Sequence, residues 1–257
     1  MAPPQEPGGV TSRTPVGGLD RAANIVDTPN MRTHRLRLVV LAFALALSIP
    51  TLCLLSGCGD TAEGSGPDSL LVVIDAGHGG RDPGAICEGV HEADVNLEVA
   101  NRVADLIEAD ERFDIRMTRT LDIYVTLESR IAVANDANAS LYLSIQSNAC
   151  ADYPDATGVV TLVSDTLDAD APSWQFAEFL QDAVTDATAA RDRGVRAQEL
   201  YLHAAEMPAA LIEVGFLTND HERAQLSDSD YQQTVAQGIY EGIVAYLEFA
   251  NSALGKR

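Results

Sequence analysis

Apolar positions along residues 70–250 alternate between two periods. Residues 70–74 (Leu-Leu-Val-Val-Ile) are a continuous apolar run rich in β-branched side chains, the pattern of a buried strand. Residues 92–110 place Val95, Val99, Val103, Leu106 and Ile107 on one face, with Asp, Glu, Asn and Arg elsewhere, which predicts an amphipathic helix. Glu92 and Asp94 in its first turn suit the positive end of the helix dipole. Residues 113–119 read as a short strand, 126–138 as a helix with Leu127, Ile131 and Ala134 inward, and 141–145 as another buried strand. A strand over 157–163, a helix over 173–191, a short extended piece over 198–203 and a strand over 209–213 breaking at Gly215 follow. Residues 231–250 close the series as a helix striped by Val235, Ile239, Ile243 and Tyr246. Strands alternating with helices predict an α/β sheet covered on both faces, and the pattern has no internal repeat.

The first 69 residues break this pattern. Residues 1–30 are rich in Pro, Gly and Thr without apolar periodicity and read as a disordered leader. Met31-Arg-Thr-His-Arg-Leu-Arg37 is a positive n-region, and residues 39–55 are an uncharged apolar run. This is secretory-signal architecture over residues 31–57, and Met31 is an alternative start. Its end, Leu55-Ser-Gly-Cys58, resembles the lipobox of bacterial lipoproteins, which implies cleavage before Cys58 and lipidation of that residue. The competing expectation is a plain transmembrane anchor, since about 20 residues span a bilayer. Residues 58–69 read as a polar tether, and residues 70–257 as the folded domain. The expected location is extracytoplasmic, at a bacterial membrane. Export leaves Cys87 and Cys150 in an oxidising compartment, either as a disulfide or as two thiols.

Composition narrows the function. The formal net charge is -21, and the five arginines before residue 58 push the remainder further negative. With no basic stripe, nucleic acid is excluded as a partner. Aromatics are 5%, so Leu, Val, Ile and Ala must build the core of one domain.

Three strand exits carry candidate chemistry: His78 in a glycine-rich turn, Gln146 and Glu213. Glu92 opens the helix after the first strand and can lean over the same sheet edge. Polar groups converging from separate strand ends are how α/β sites are assembled. Histidine and glutamate suit a hydrolytic zinc with an open position, and a second glutamate can move the proton of its water.

The motifs then become specific. Ile74-Asp-Ala-Gly-His-Gly-Gly-Arg-Asp-Pro-Gly-Ala85, Glu92-Ala-Asp-Val-Asn-Leu97, Arg116-Met-Thr-Arg119, Ser144-Ile-Gln-Ser-Asn-Ala149, Arg193-Gly-Val-Arg196 and Pro208-Ala-Ala-Leu-Ile-Glu-Val-Gly-Phe-Leu-Thr-Asn219 stand in this order. In this set the chain resembles the zinc-dependent N-acetylmuramoyl-L-alanine amidases of bacterial cell walls. The resemblance implies a single α/β domain with a mainly parallel twisted sheet and one zinc ion. It puts His78 and Glu92 at metal-ligand positions and Glu213 at the catalytic glutamate. It implies peptidoglycan as partner and hydrolysis of the amide between N-acetylmuramic acid and L-alanine of the stem peptide, in cell separation or wall turnover. No protein activator is evident, and the ordinary length of the 173–191 helix predicts an open groove.

One position departs from the family. Gln146 stands where the resemblance expects a histidine ligand, and a neutral amide oxygen is a poor zinc donor beside imidazole. Either Gln146 ligates weakly, or His203, His91 or Cys150 substitutes, or the metal is lost and the protein binds peptidoglycan without cutting it. A hydrolase of another amide is the remaining reading. Arg119, Asn148 and Arg196 are candidate substrate-binding residues, with Arg119 and Arg130 also able to hold the aspartates of the motif loops. Asn219 reads as a loop-capping amide, and Asp165, Asp168 and Asp170 as a solvated acidic loop whose spacing is not that of an EF-hand.

Overall fold

The computed structural model describes residues 69–254. The expected leader, signal peptide, Cys58 and nearly all of the tether lie outside the described residues.

In chain order the elements are β1 (Leu70–Ala76), the two-residue strands β2 (Ile86–Cys87) and β3 (Val90–His91), α1 (Glu92–Glu108), β4 (Phe113–Met117), α2 (Leu127–Asn135) and β5 (Leu141–Asn148). There follow β6 (Val159–Ser164), α3 (Pro172–Thr188), β7 (Asp192–Gln198), a 3-10 turn (Tyr201–Ala204), β8 (Ala209–Phe216), α4 (Asp220–Leu226) and α5 (Ser229–Leu254). Among the described residues no helix is long and apolar enough to cross a membrane.

Six strands form one sheet in the order β4-β1-β5-β8-β6-β7. Every neighbouring pair is parallel except β8 with β6. The sheet therefore matches the expected mainly parallel α/β architecture, and helices cover both faces. On one face Val72, Ile74, Leu143, Ile145, Ile212 and Val214 pack with Val99 and Val103 of α1, Leu180 of α3 and Ile239 and Ile243 of α5. On the other, Val73, Tyr142, Leu162 and Leu211 pack with Ile131 and Ala134 of α2 and with Leu202. Full burial of such side chains stabilises by about 1.5–3 kcal/mol each.

Three elements differ from the sequence expectation. β7 has no counterpart in the sequence expectation, whose extended piece over 198–203 meets it only at Gln198 and otherwise falls on the 3-10 turn, because Arg193, Gly194 and Arg196 leave Val195 as its single strong apolar position. It is an edge strand, so it needs little apolar surface. β8 does not break at Gly215 but continues to Phe216. At Gly215 a Cβ would meet Leu226 Cδ1 at 3.2 Å and Glu222 Oε2 at 3.3 Å. α4 carries no long apolar period and is set by its ends instead. Asn219 Oδ1 accepts from His221 N and Glu222 N at 3.1 Å each, a local N-cap. Glu222 then accepts from Phe216 N and Gly158 N, at 2.7 Å each.

A polar network crosses the α2 face beneath the carboxyl edge of β1. Asp75, fully buried, accepts from Arg130 Nη1 at 2.6 Å, Ser144 Oγ at 2.9 Å, Tyr201 Oη at 2.9 Å and Thr118 Oγ1 at 2.5 Å. Four donors on one carboxylate are the compensation a buried charge requires. The same network leads directly into the turn that carries His78.

Candidate active site

β1 ends at Ala76, and the chain turns through Gly77-His-Gly-Gly-Arg-Asp82. His78 adopts a left-handed φ of 59°, unusual for a residue with a side chain. Arginines hold it there. Arg119 Nε and Nη2 donate to Ala76 O and Gly77 O at 2.8 Å each, and Nη2 also reaches Ala93 O at 2.7 Å. Arg130 Nη1 donates to Ala76 O and Nη2 to His78 O, both at 2.7 Å. Two guanidiniums thus satisfy three successive carbonyls that the ended strand leaves without ladder partners.

The imidazole is fixed from both sides. Nδ1 lies 2.9 Å from Asp82 Oδ2, and Nε2 lies 3.2 Å from Glu92 Oε1. Burial pulls the imidazolium down, but hydrogen bonds to Glu92 and Asp82 and their charges outweigh it and raise its pKa to about 9. Glu92, the first residue of α1, is buried and further held by Ala85 N on Oε2 (3.0 Å) and Ser147 N on Oε1 (3.3 Å).

Gln146 and Glu213 arrive on neighbouring parallel strands as register partners. Asn96 Nδ2 bridges Glu92 Oε1 at 3.3 Å and Gln146 Oε1 at 3.4 Å, and Gln146 Nε2 donates to Ser144 Oγ at 3.3 Å. The Gln146 amide lies on Gly77, where a Cβ would come within 2.1–2.3 Å of its three terminal atoms. Gly84 plays the same part between Glu92 and His78, with a Cβ 2.6 Å from Glu92 Oε2 and 2.9 Å from His78 Cδ2. Glu213 is half-buried, but its Oε2 is sealed and has no hydrogen-bond partner among the described residues. Desolvation and the Glu92 charge raise its pKa to about 8, with His78 opposing.

The donor chemistry fits a divalent cation held by two strong donors and one weak one. His78 Nε2 and Glu92 Oε1 are separated by 3.2 Å, near the roughly 3.3 Å of two donors sharing a tetrahedral ion. The third side chain brought to them is an amide, so among the described residues no group of three His, Cys, Asp or Glu converges to hold a metal. None of the substitutes weighed for Gln146 fills the position. His203 is exposed with Nδ1 near Leu200 O, His91 is exposed beside Asp94, and Cys150 is a half-buried thiol.

Other expected residues lie elsewhere. Arg119 is 2% exposed and bound to main-chain carbonyls, so it shapes the turn rather than meeting substrate. Arg196 lies on the edge strand β7, separated from β8 by β6, and donates to Arg193 O at 3.2–3.3 Å. Asn148 ends β5 half-buried, its carbonyl accepting from Leu217 N at 2.7 Å. The Cys87–Cys150 disulfide is not formed: both are free thiols. Asn96 and Asp82 went unassigned in sequence, although Asn96 stands four residues after Glu92, on the same helix face.

A mainly parallel sheet with an imidazole, an amide and two carboxylates gathered at its carboxyl edge defines an α/β protein with an enzyme-like centre. The sequence profile of the family described as N-acetylmuramoyl-L-alanine amidase matches residues 72–245, and the chain belongs to that family. It is 34% identical over 195 residues to the uncharacterized protein YqiI of Bacillus subtilis, covering 76% of this chain and 92% of that one. It is 35% identical over 176 residues to the N-acetylmuramoyl-L-alanine amidase LytC of the same species, covering 68% of this chain but 35% of LytC. Among solved structures, the N-acetylmuramoyl-L-alanine amidase from Clostridium difficile 630 superposes with a TM-score of 0.68 at 33% identity, covering 70% of this chain and 98% of that one.

Proposed function

We propose that the chain is a peptidoglycan hydrolase that cleaves the amide between the lactyl group of N-acetylmuramic acid and L-alanine of the stem peptide. The observation that carries this reading is the sealed, unpartnered Glu213 Oε2 beside the His78–Glu92 pair. A carboxylate with a raised pKa is a stronger base and, once protonated, a usable acid near neutral pH. Glu213 takes a proton from the attacking water, whose oxygen bonds to the lactyl carbonyl carbon. It returns that proton to the alanine nitrogen as the carbon–nitrogen bond breaks. His78 Nε2, Glu92 Oε1 and Gln146 Oε1 are the groups that would hold one zinc ion. When bound, that ion supplies carbonyl polarisation and a water of lowered pKa. Asp82 orients the imbedded imidazole through Nδ1, and Asn96 sets Glu92 and Gln146 relative to each other.

A specific observation favours a second reading, a metal-poor protein that binds peptidoglycan without cutting it. Gln146 is engaged at both ends of its amide by Asn96 and Ser144, at the position where the family resemblance expects an imidazole ligand. One experiment separates the two. Residues 59–257 are purified, their zinc content is measured, and stem-peptide release from sacculi is assayed beside Gln146→His. The first reading expects zinc and release in the natural sequence, with tighter zinc in Gln146→His. Absence of both in the natural sequence overturns it. The proposal extends to location: a lipoprotein, anchored through Cys58 outside the cytoplasm. Cys58→Ala then releases the protein from membranes, and unchanged retention favours a transmembrane helix.

A further inference from the structure

We infer that Arg81 is a specificity-determining residue of the same site, reading a free carboxylate on the stem peptide. The inference rests on the amidase reading and names the acidic peptide as the feature recognised. Arg81 sits on the turn that carries His78, three residues further on. That turn is rigid: Gly79 and Asp82 exchange main-chain hydrogen bonds of 2.7 and 3.2 Å, and Asp82 binds the imidazole.

Arg81 is exposed, and its contact is the ring of Tyr124, with the guanidinium carbon 4.1 Å from the centroid. The loop that carries Tyr124 is tied to the turn two residues earlier, where Gly80 N donates to Asp122 Oδ1 at 2.6 Å. Among the described residues Arg81 has no hydrogen bond or ion pair. The neighbouring carboxylates are spent, Asp122 on Gly80 and Asp82 on His78. A guanidinium stacked on an aromatic face keeps its planar edge of N–H donors open for bidentate capture of a carboxylate.

The surrounding charge makes this cation consequential. Residues 69–254 contain 32 aspartates and glutamates against ten arginines and no lysine. Arg119 and Arg130, the other arginines of the turn, are buried and committed to carbonyls and to Asp75. An anionic peptide approaching this surface is repelled except where a placed cation meets it. Arg81 is that cation, exposed on the turn that carries His78.

The test uses two muramyl-peptide probes identical except at the second residue, which carries either a free carboxylate or its carboxamide. Turnover by the full chain and calorimetric binding are measured for both, at low and high salt. Natural-sequence protein should favour the carboxylate probe by about tenfold in kcat/KM and in Kd, a preference that shrinks with salt. Arg81→Ala should erase the preference through KM, and Arg81→Lys should restore part of it, since charge survives but the bidentate fork does not. Equal handling of both probes by the natural sequence, or an equal loss on both in Arg81→Ala, overturns the inference. Absent turnover with a carboxylate preference in binding that Arg81→Ala removes would sink the enzyme reading and leave this one standing.

Discussion

Glu92 links two unusual protonation states: burial and the Glu92 charge raise Glu213, whereas burial lowers His78 and the hydrogen bonds and charges of Glu92 and Asp82 overcome it. Glu213 is raised from the ordinary glutamate value to about 8, so its neutral form is favoured in the fold. A raised carboxyl contributes stability below its unfolded pKa and loses it as pH climbs through the folded value. Thermal unfolding should therefore show stability falling between about pH 4.5 and 8, and Glu213→Gln should flatten that slope while abolishing stem-peptide release. His78, raised to about 9, keeps its stabilising charge below the free imidazole value and loses it as pH rises through 9. A cation on Nε2 needs the neutral ring. Zinc binding at pH 7 should release about one proton, seen as a buffer-dependent heat, and weaken by up to about tenfold per unit as pH falls. A buffer-independent heat would place the ion elsewhere.

At the scale of elements, the turn after β1 is held by two arginines and one aspartate that meet no solvent. Removing Asp75 leaves Arg130 charged, buried and unpaired, which costs about 3–5 kcal/mol. Asp75→Ala should lose about that much in denaturant unfolding, and a loss under about 1 kcal/mol would deny the network its role. Gly77→Ala tests the site more locally. Its Cβ must displace the Gln146 amide, so binding at the centre should fail while far-ultraviolet dichroism keeps its native shape. The strands ending near His78, Gln146 and Glu213 were legible in sequence because each is a short apolar run stopped by polar residues. Arg119 was misread as a substrate contact, since sequence does not reveal two carbonyls left open at the end of a strand and a third in the first turn of α1. β7 and α4 were missed because an edge strand and a capped short helix are set by neighbours and end groups rather than by period. The thiols of Cys87 and Cys150 were equally beyond reach, because pairing depends on distance and not on spacing.

For the whole molecule, 32 acidic residues on a 186-residue fold imply self-repulsion that mobile ions relieve. Raising sodium chloride from about 0.05 to 1 M should raise the melting temperature as the Debye length contracts to about 3 Å. A melting temperature that falls with salt would mean surface ion pairs outweigh the repulsion. The proposed reaction cuts one bond in one polymer, and the products of digestion report on that bond directly. Mass spectrometry of sacculi treated with residues 59–257 should find peptides with a new amino terminus on L-alanine. It should also find glycan strands whose lactyl groups end in free carboxyls. Cuts between sugars or within the peptide, or no cuts in the presence of zinc, would contradict the account.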